Sequence, residues 1–384
     1  MPGTTSPVSR VGVVGGGQLA RMMGEESHHL NIELVVLATS NEDCAISVAD
    51  HVMLGAANDE SALWALSQET DVLTFDHELV DLDVLARLET QGVTLRPSSS
   101  SLRYSVDKSY QRERFAAAGF PLPGFAVLRD ANDLAVLEGW TSRFGSGPVL
   151  KAARGGYDGR GVLFPKDDDE ARNLARELLA SGTVVVEERM LLQSEVSQLV
   201  VRSVRGEMEL YPLVTTVQSD GMCAEVRFPC ELPPSLHAFA DELSRDIAEA
   251  IGLVGVMAVE YFVTTGGLLI NELALRPHNS GHWTIEGCAT SQFANHLRAV
   301  TGQDLGACTP LYPAAVMVNV VGAQSPGSLD AARRVPGVRV HDYGKAWRPG
   351  RKLGHVTAFG DHVDELHVTA WQSARAYGTN TQEA

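Results

Sequence analysis

Basic residues are in short supply. The 384-residue chain carries 31 Lys and Arg against 48 Asp and Glu, a formal charge of −17. A nucleic-acid binder shows a basic face to the phosphate backbone, so this balance excludes broad nucleic-acid binding as the main task. A small anionic substrate stays possible, because a few clustered cations override the global sign locally. Cysteine is scarce too: Cys44, Cys223, Cys230, Cys288 and Cys308 are scattered, odd in number, and form no C-x-x-C pair. That indicates neither a zinc site nor a disulfide framework, and fits reduced thiols in a cytoplasmic protein. No run approaches the roughly 18 apolar residues of a membrane span. Met1 to Arg10 is polar and lacks the apolar core of a signal peptide. There is no internal repeat, and no Gly-Lys-Ser/Thr of a Walker A loop. No Ser-His-Asp or Cys-His arrangement is evident. The tail Gly378 to Ala384 is expected to fray.

The bulk composition, 44% hydrophobic and 21% charged, is that of an ordinary soluble protein. The length suggests two or three domains. The stretch richest in chemistry runs from Val259 to Gly281. Two apolar, β-branched runs flank Thr264-Thr265-Gly266-Gly267, a hairpin signature. Each run carries a carboxylate, Glu260 and Glu272. A two-residue Gly-Gly loop would set Glu260 against Leu273 and send the acids to opposite faces. A three-residue Thr265-Gly266-Gly267 loop would set Glu260 against Glu272 on one face. Like charges that close repel unless a cation lies between them. With Asn271 beside them, these oxygens suit Mg²⁺, which binds one or two carboxylates together with substrate phosphates. The plain alternative is two acids at the solvated edge of a hairpin.

Further back, strand Arg10-Val11-Gly12-Val13-Val14 leads into Gly15-Gly16-Gly17-Gln18-Leu19-Ala20, and a second strand covers Glu33 to Ala38. Gly15, Gly17 and Ala20 fit the dinucleotide fingerprint. The acid that would bind a ribose at the end of the second strand is missing, since the chain there reads Ala38-Thr39-Ser40. The turn therefore reads as an NAD site, a tight βα turn, or a helix N-terminus holding another anion. Asp76-His77-Glu78 ends strand Asp71 to Phe75, at the edge where open α/β sheets bind ligands. A helix is expected over Val106 to Gly119, with Lys108 and Arg112 on one face. Strand Pro148 to Lys151 opens into Gly155-Gly156-Tyr157-Asp158-Gly159-Arg160-Gly161 and then Val162-Leu163-Phe164. Such a loop exposes backbone N–H groups and can close over phosphates. Strand Thr183 to Val186 ends in Glu187-Glu188-Arg189-Met190, able to read an adenine edge. Helices are expected over Leu236 to Leu253 and Trp283 to Val300. The block from His341 to His355 holds Lys345, Arg348, Arg351 and Lys352 within eight residues of an acidic chain, a pattern that reads as a phosphate pocket.

In this order the motifs resemble the ATP-grasp ligases, and within them the N5-carboxyaminoimidazole ribonucleotide synthetase family. The resemblance rests on the glycine turn at 15–22, the loop at 155–161, Asn271-Glu272 through Arg276-Pro277-His278-Asn279-Ser280-Gly281-His282, Ser291-Gln292-Phe293, and Tyr343-Gly344-Lys345 with Arg351-Lys352 and His355. It implies an α/β ATP-grasp fold. Residues 1–104 would form a Rossmann-like pre-ATP-grasp domain. Residues 105–302 would form the ATP-grasp domain, with a lid at about 121–186, and 303–384 a small β-rich C-terminal domain. It implies ATP-dependent carboxylation of aminoimidazole ribonucleotide with bicarbonate, Mg²⁺ (or Mn²⁺) as cofactor, and a homodimer. By motif position, ATP would meet Lys108, Lys151, Gly156 to Val162 (Tyr157, Asp158, Gly159, Arg160 and Gly161 included), Glu187, Glu188, Arg189, Met190, Glu195, Gln218, Asn271 and Glu272. The ribonucleotide would meet Gln18, Leu19, Glu78, Tyr157, Asp158, Arg160, His278, Lys345, Arg351 and Lys352. Tyr157, Asp158, Arg160 and Arg276 would be catalytic, and Glu260 and Glu272 the metal ligands. The chain departs from the family pattern at Thr215-Thr216-Val217-Gln218, where Glu-Asn-x-His is common, and at Lys108, where Arg is common. A formate-dependent transformylase of the same superfamily, an NAD-dependent oxidoreductase and a non-catalytic nucleotide-binding module are the alternatives.

Overall fold

Short runs of Val and Leu set the first layer. In the computed structural model, which describes residues 8–156, 161–219 and 221–380, four parallel strands form a sheet: β1 (Arg10–Val14), followed by helix α1 (Gln18–Ser27), then β2 (Glu33–Ala38), β3 (His51–Leu54), helix α2 (Glu60–Glu69) and β4 (Val72–Phe75). Their order is β3-β2-β1-β4. The inner strands are buried on both faces, which is why they read as unbroken apolar runs rather than alternating ones. Helix α3 (Leu82–Thr90) completes the layer. Asp59 and Asp81 cap α2 and α3, each accepting two backbone N–H bonds.

The helix expected over 106–119 is present, two residues shorter at each end, and a separate helix precedes it. α4 (Ser99–Val106) ends at Asp107, whose extended backbone and carboxylate start α5 (Lys108–Ala117). Lys108 is thereby the first residue of α5. A second sheet follows from β5 (Phe125–Leu128), the short helix α6 (Trp140–Phe144), β6 (Pro148–Ala152), β7 (Val162–Leu163), helix α7 (Asp168–Leu179) and β8 (Val184–Glu188). Its order is β5-β8-β6-β7. The Leu128, Leu137, Trp140, Leu150 and Val186 side chains give it a core of its own.

The largest sheet has nine strands. It takes β9 (Ser194–Arg202), β10 (Met208–Leu210), β11 (Val214–Ser219) and β12 (Met222–Phe228); then, after helix α8 (Pro234–Ala250), β13 (Gly255–Thr264) and β14 (Gly267–Ala274). Helices α9 (Thr284–Gly287) and α10 (Gln292–Thr301) precede β15 (Ala314–Val321), helix α11 (Leu329–Arg333), β16 (Val338–Asp342), β17 (Lys352–Gly360) and helix α12 (Val363–Tyr377). The order is β14-β13-β9-β11-β12-β15-β17-β16, with β10 against β9. The C-terminal strands thus extend the central sheet through the antiparallel β12–β15 pairing. One continuous sheet runs from the carboxylate hairpin to the basic block.

The helix expected over 283–300 is broken. Cys288 is extended and pairs with Pro310, Ala289 N–H donates to the Thr309 carbonyl, and Ser291 caps a new helix by accepting from Ala294 N–H. Strand-like pairing and a fresh cap win over helical continuity there.

Candidate functional site

The hairpin of β13 and β14 places the two acids. Thr264 pairs with Gly267, so the turn is the two-residue Thr265-Gly266, not the Gly-Gly or three-residue loop expected. Up to Tyr261–Ile270 this register would set Glu260 opposite Asn271. A bulge between Glu260 and Tyr261 then absorbs Asn271, and Glu260 pairs with Glu272. The expected pairing is reached by another route: the extra residue lies in the strand, not in the loop.

The two carboxylates differ in surroundings. Lys108 Nζ donates to Glu272 Oε1 at 2.7 Å, and Lys108, Lys151 and Arg112 hold this carboxyl below its ordinary range despite its desolvation. Burial, then Glu272, then Glu195, push the Glu260 carboxyl up to about 8, with Arg276 and Lys352 opposing. His278 Nε2 stands 3.5 Å from Glu260 Oε1. Burial and the neighbouring Arg276 and Lys352 push this imidazole down to about 3, so it is neutral. Its Nδ1 accepts from the Ser280 backbone N–H, which leaves the ring proton on Nε2, facing Glu260. A pair of carboxylates in which one must keep a proton is a site short of positive charge. Among the described residues there is no group of three or more His, Cys, Asp or Glu side chains able to hold a metal ion. The donor set present, two carboxylates and the Asn271 amide, suits a hard cation that takes its remaining oxygens from ligand and water.

Lys151 lies on β6 and bonds Glu187 Oε2 at 2.6 Å and Asn271 Oδ1 at 3.3 Å. Arg112 Nε donates to Glu187 Oε1 at 2.6 Å. Glu187 is 2% exposed, and Arg112 and Lys151 bring its carboxyl down to about 2 against the cost of burial. Its side chain is thus committed to two cations, and an adenine at this strand end would meet backbone. Beside it a cleft of 410 Å³ is lined by Phe144, Ser146, Glu188, Arg189, Met190 and Thr265, between the second sheet and the hairpin turn. Arg189 donates to the Pro165 carbonyl at 3.0 Å. Glu195, on β9 next to β13, has its carboxyl raised by burial. Gln218 sits at a register shift of β11, opposite Cys223. Of the glycine loop, Gly156 and Gly161 are described, with Val162 following in β7; Tyr157, Asp158, Gly159 and Arg160 lie outside the described residues. Arg154, at the loop's start, bonds Asp107 at 2.8 Å.

The residues that the resemblance would assign to the ribonucleotide come together from three chain segments. Lys345 Nζ donates to Gln18 Oε1 at 2.5 Å, tying the basic block to the first glycine turn. Burial, with Arg351 and Lys352 nearby, lowers the Lys345 ammonium. Arg351 donates to the Ala346 carbonyl at 3.1 Å. Glu78 accepts from Leu275 N–H at 2.8 Å and lies 3.5 Å from Arg276 Nε. Leu19 is buried in the core beneath α1, with its side chain among apolar neighbours. Of the three readings of the glycine turn, an anion at the N-terminus of α1 is met from within the chain. Asp76 Oδ2 accepts from Gly17 N–H at 2.5 Å and Oδ1 from Ala20 N–H at 3.0 Å. The helix end that a dinucleotide pyrophosphate would use is filled by this carboxylate. A Cβ on Gly17 would stand 2.4 Å from Asp76 Oδ2, which explains that glycine without a ligand.

Sequence reasoning passed over Asp76, two residues before Glu78. It read Arg112 only as part of a charged face, although the residue is 1% exposed. The only signal was strand-end position for the first and helical spacing from Lys108 for the second.

Comparison with known proteins gives this geometry a family. The ATP-grasp domain model matches residues 113–293, the ribonucleotide synthetase preATP-grasp domain 8–105, and the phosphoribosylaminoimidazole carboxylase C-terminal domain 315–369. The chain is 46% identical over 376 residues to the N5-carboxyaminoimidazole ribonucleotide synthase of Mycobacterium tuberculosis, covering 95% of this chain and 87% of that protein. The solved N5-carboxyaminoimidazole ribonucleotide synthetase of Thermus thermophilus aligns with a TM-score of 0.87 at 34% identity, covering 97% of this chain and all of that one. The Aspergillus clavatus enzyme, solved with ADP and 5-aminoimidazole ribonucleotide, aligns at 0.87 and 30% identity, covering 97% and 99%. With an α/β fold, an opposed carboxylate pair and a cluster of cations around it, this chain belongs to the N5-carboxyaminoimidazole ribonucleotide synthase family of ATP-grasp enzymes.

Proposed function

We propose that this chain is a carbon–nitrogen ligase that carboxylates 5-aminoimidazole ribonucleotide, using ATP and bicarbonate and releasing ADP and phosphate. The carrying observation is the bipartite set of cations around Glu260 and Glu272. Lys108 bonds Glu272 at 2.7 Å and Lys151 bonds the neighbouring Asn271 at 3.3 Å, while Arg276 and Lys352 act on Glu260. One side suits a polyphosphate and the other a second anionic substrate, with the carboxylate pair between them.

Bicarbonate is a poor electrophile. Transfer of the γ-phosphoryl group to a bicarbonate oxygen gives carboxyphosphate and ADP. The ring amine then forms its bond to the carboxyl carbon, the C–O bond to phosphate breaks, and the leaving phosphate can take the amine proton. Such transfers are accelerated chiefly by positioning and charge neutralisation. Lys108 and Lys151, together with backbone N–H groups of residues 156–162, would orient the phosphates once they let go of the acids they now hold. Residues 187–190 and Glu195 would take the adenosine. Gln18, Glu78, His278, Lys345, Arg351 and Lys352 would orient the ribonucleotide. Bound at Glu260 and Glu272, Mg²⁺ would supply charge neutralisation for the phosphates. Carboxyphosphate hydrolyses readily, so loop 155–161 is assigned the task of excluding water. No helix among the described residues is long and apolar enough to cross a membrane. The family reading carries a cytoplasmic homodimer.

The test is ADP release by purified protein with Mg-ATP. Stimulation that needs both bicarbonate and aminoimidazole ribonucleotide is expected. Stimulation by formate and glycinamide ribonucleotide instead would replace this reading with the transformylase.

A further inference from the structure

The segment 276–286 crosses from the carboxylate hairpin to the C-terminal strands, and its polar side chains meet the sheet in a row. Asn279 and Asn319 exchange amide hydrogen bonds of 2.9 and 2.5 Å. The His282 ring lies 4.9 Å from that of His355. Glu286 bonds His341 Nε2 at 2.8 Å. Asn319, His355 and His341 are register partners across β15, β17 and β16. Their partners at 279, 282 and 286 have the spacing of one helical face.

Gln292, the first residue of α10, ties this row back to the site. It is fully buried. Its Oε1 accepts from His278 N–H at 2.8 Å, and its Nε2 donates to the His278 carbonyl at 2.7 Å. Both atoms of one amide are spent on one residue's backbone, which fixes which end is nitrogen. The second hydrogen on Nε2 then points to His282 Nδ1, 3.2 Å away, so the His282 proton is on Nε2. Close approach is built in: a Cβ on Gly281 would stand 2.5 Å from Gln292 Oε1. The held residue, His278, is the one whose Nε2 faces Glu260.

We infer that Gln292 is a positioning residue for the reaction, holding the His278 backbone so that its imidazole Nε2 faces Glu260. This rests on the reading of His278 as part of the substrate site. A burial role alone would be served by any side chain of similar volume. The two-point clamp instead acts on the placement of a single imidazole, where an error of an ångström costs about 10²-fold in rate.

The test is a double-mutant cycle. Gln292→Met keeps length and volume but removes the clamp; Gln292→Asn is polar but one methylene short, and serves if the first does not fold. Each is combined with His278→Ala, and kcat and KM are measured for ATP and for the ribonucleotide. In the native background either variant should lower kcat/KM for the ribonucleotide by about 10²-fold, with KM for ATP unchanged. In the His278→Ala background it should cost nothing more, because the residue it acts through is gone. Equal losses in both backgrounds, or a matching rise in KM for ATP, would overturn the inference. Wild-type turnover in His278→Ala alone would be a different failure: it would remove His278 from the site, and the site reading with it.

Discussion

Glu260 faces Glu272 because Asn271 is squeezed out of register between them. The bulge sets two acids on one face of the hairpin and leaves an amide beside them. Removing the Glu272 charge should therefore abolish function with little effect on folding. Glu272→Gln is expected to lower ribonucleotide-dependent ADP release by at least about 10²-fold while the thermal transition stays near that of the parent. Normal turnover at ordinary Mg²⁺ would defeat the metal assignment.

The same pairing predicts a pH dependence of stability. Glu260 is raised from its ordinary 4.5 to about 8 by burial and by Glu272. The native state then holds a proton that the unfolded chain has already released. Its contribution is complete below pH 4.5 and is lost as pH rises through 8, with a slope of at most about 1.4 kcal/mol per pH unit. Metal-free protein in chemical denaturation should lose stability over that window, and Glu260→Gln should flatten the curve. An unchanged profile in the variant would contradict the shift.

Glu187 shows the opposite sign. Arg112 and Lys151 lower it to about 2, so its contribution is present above pH 4.5 and disappears as pH falls towards 2. Taking away this carboxylate leaves two buried cations facing each other. Glu187→Ala should cost about 3–5 kcal/mol in urea unfolding, as breaking a buried ion pair does. A loss below about 1 kcal/mol would mean that water reaches and screens the pair.

Asp76 closes the N-terminus of α1 from the end of the neighbouring strand β4. Asp76→Ala should cost about 1–2 kcal/mol, the range of a lost helix cap. It should also raise KM for the ribonucleotide, since the freed turn carries Gln18 and through it Lys345. KM for ATP serves as the control, and an equal rise there would show general loosening instead.

Periodicity and punctuation settled much of this molecule at the level of sequence. The buried strands of the first sheet, the glycine loop between β6 and β7, the hairpin with its two acids and the basic block follow from local rules about burial, turns and charge. So did the order of motifs that marks the family. What the sequence could not decide was which of several anions and cations would meet. The α1 N-terminus could have held a pyrophosphate, but Asp76, just past the end of β4 and 59 residues from Gly17, takes its N–H groups. Lys108 and Lys151 could have been free for phosphates, but one bonds Glu272 and the other Glu187. The register of the hairpin hung on one bulged residue. In each case partners far apart in sequence compete for the same group, and their distances are set by packing between sheets and helices, which no local pattern encodes.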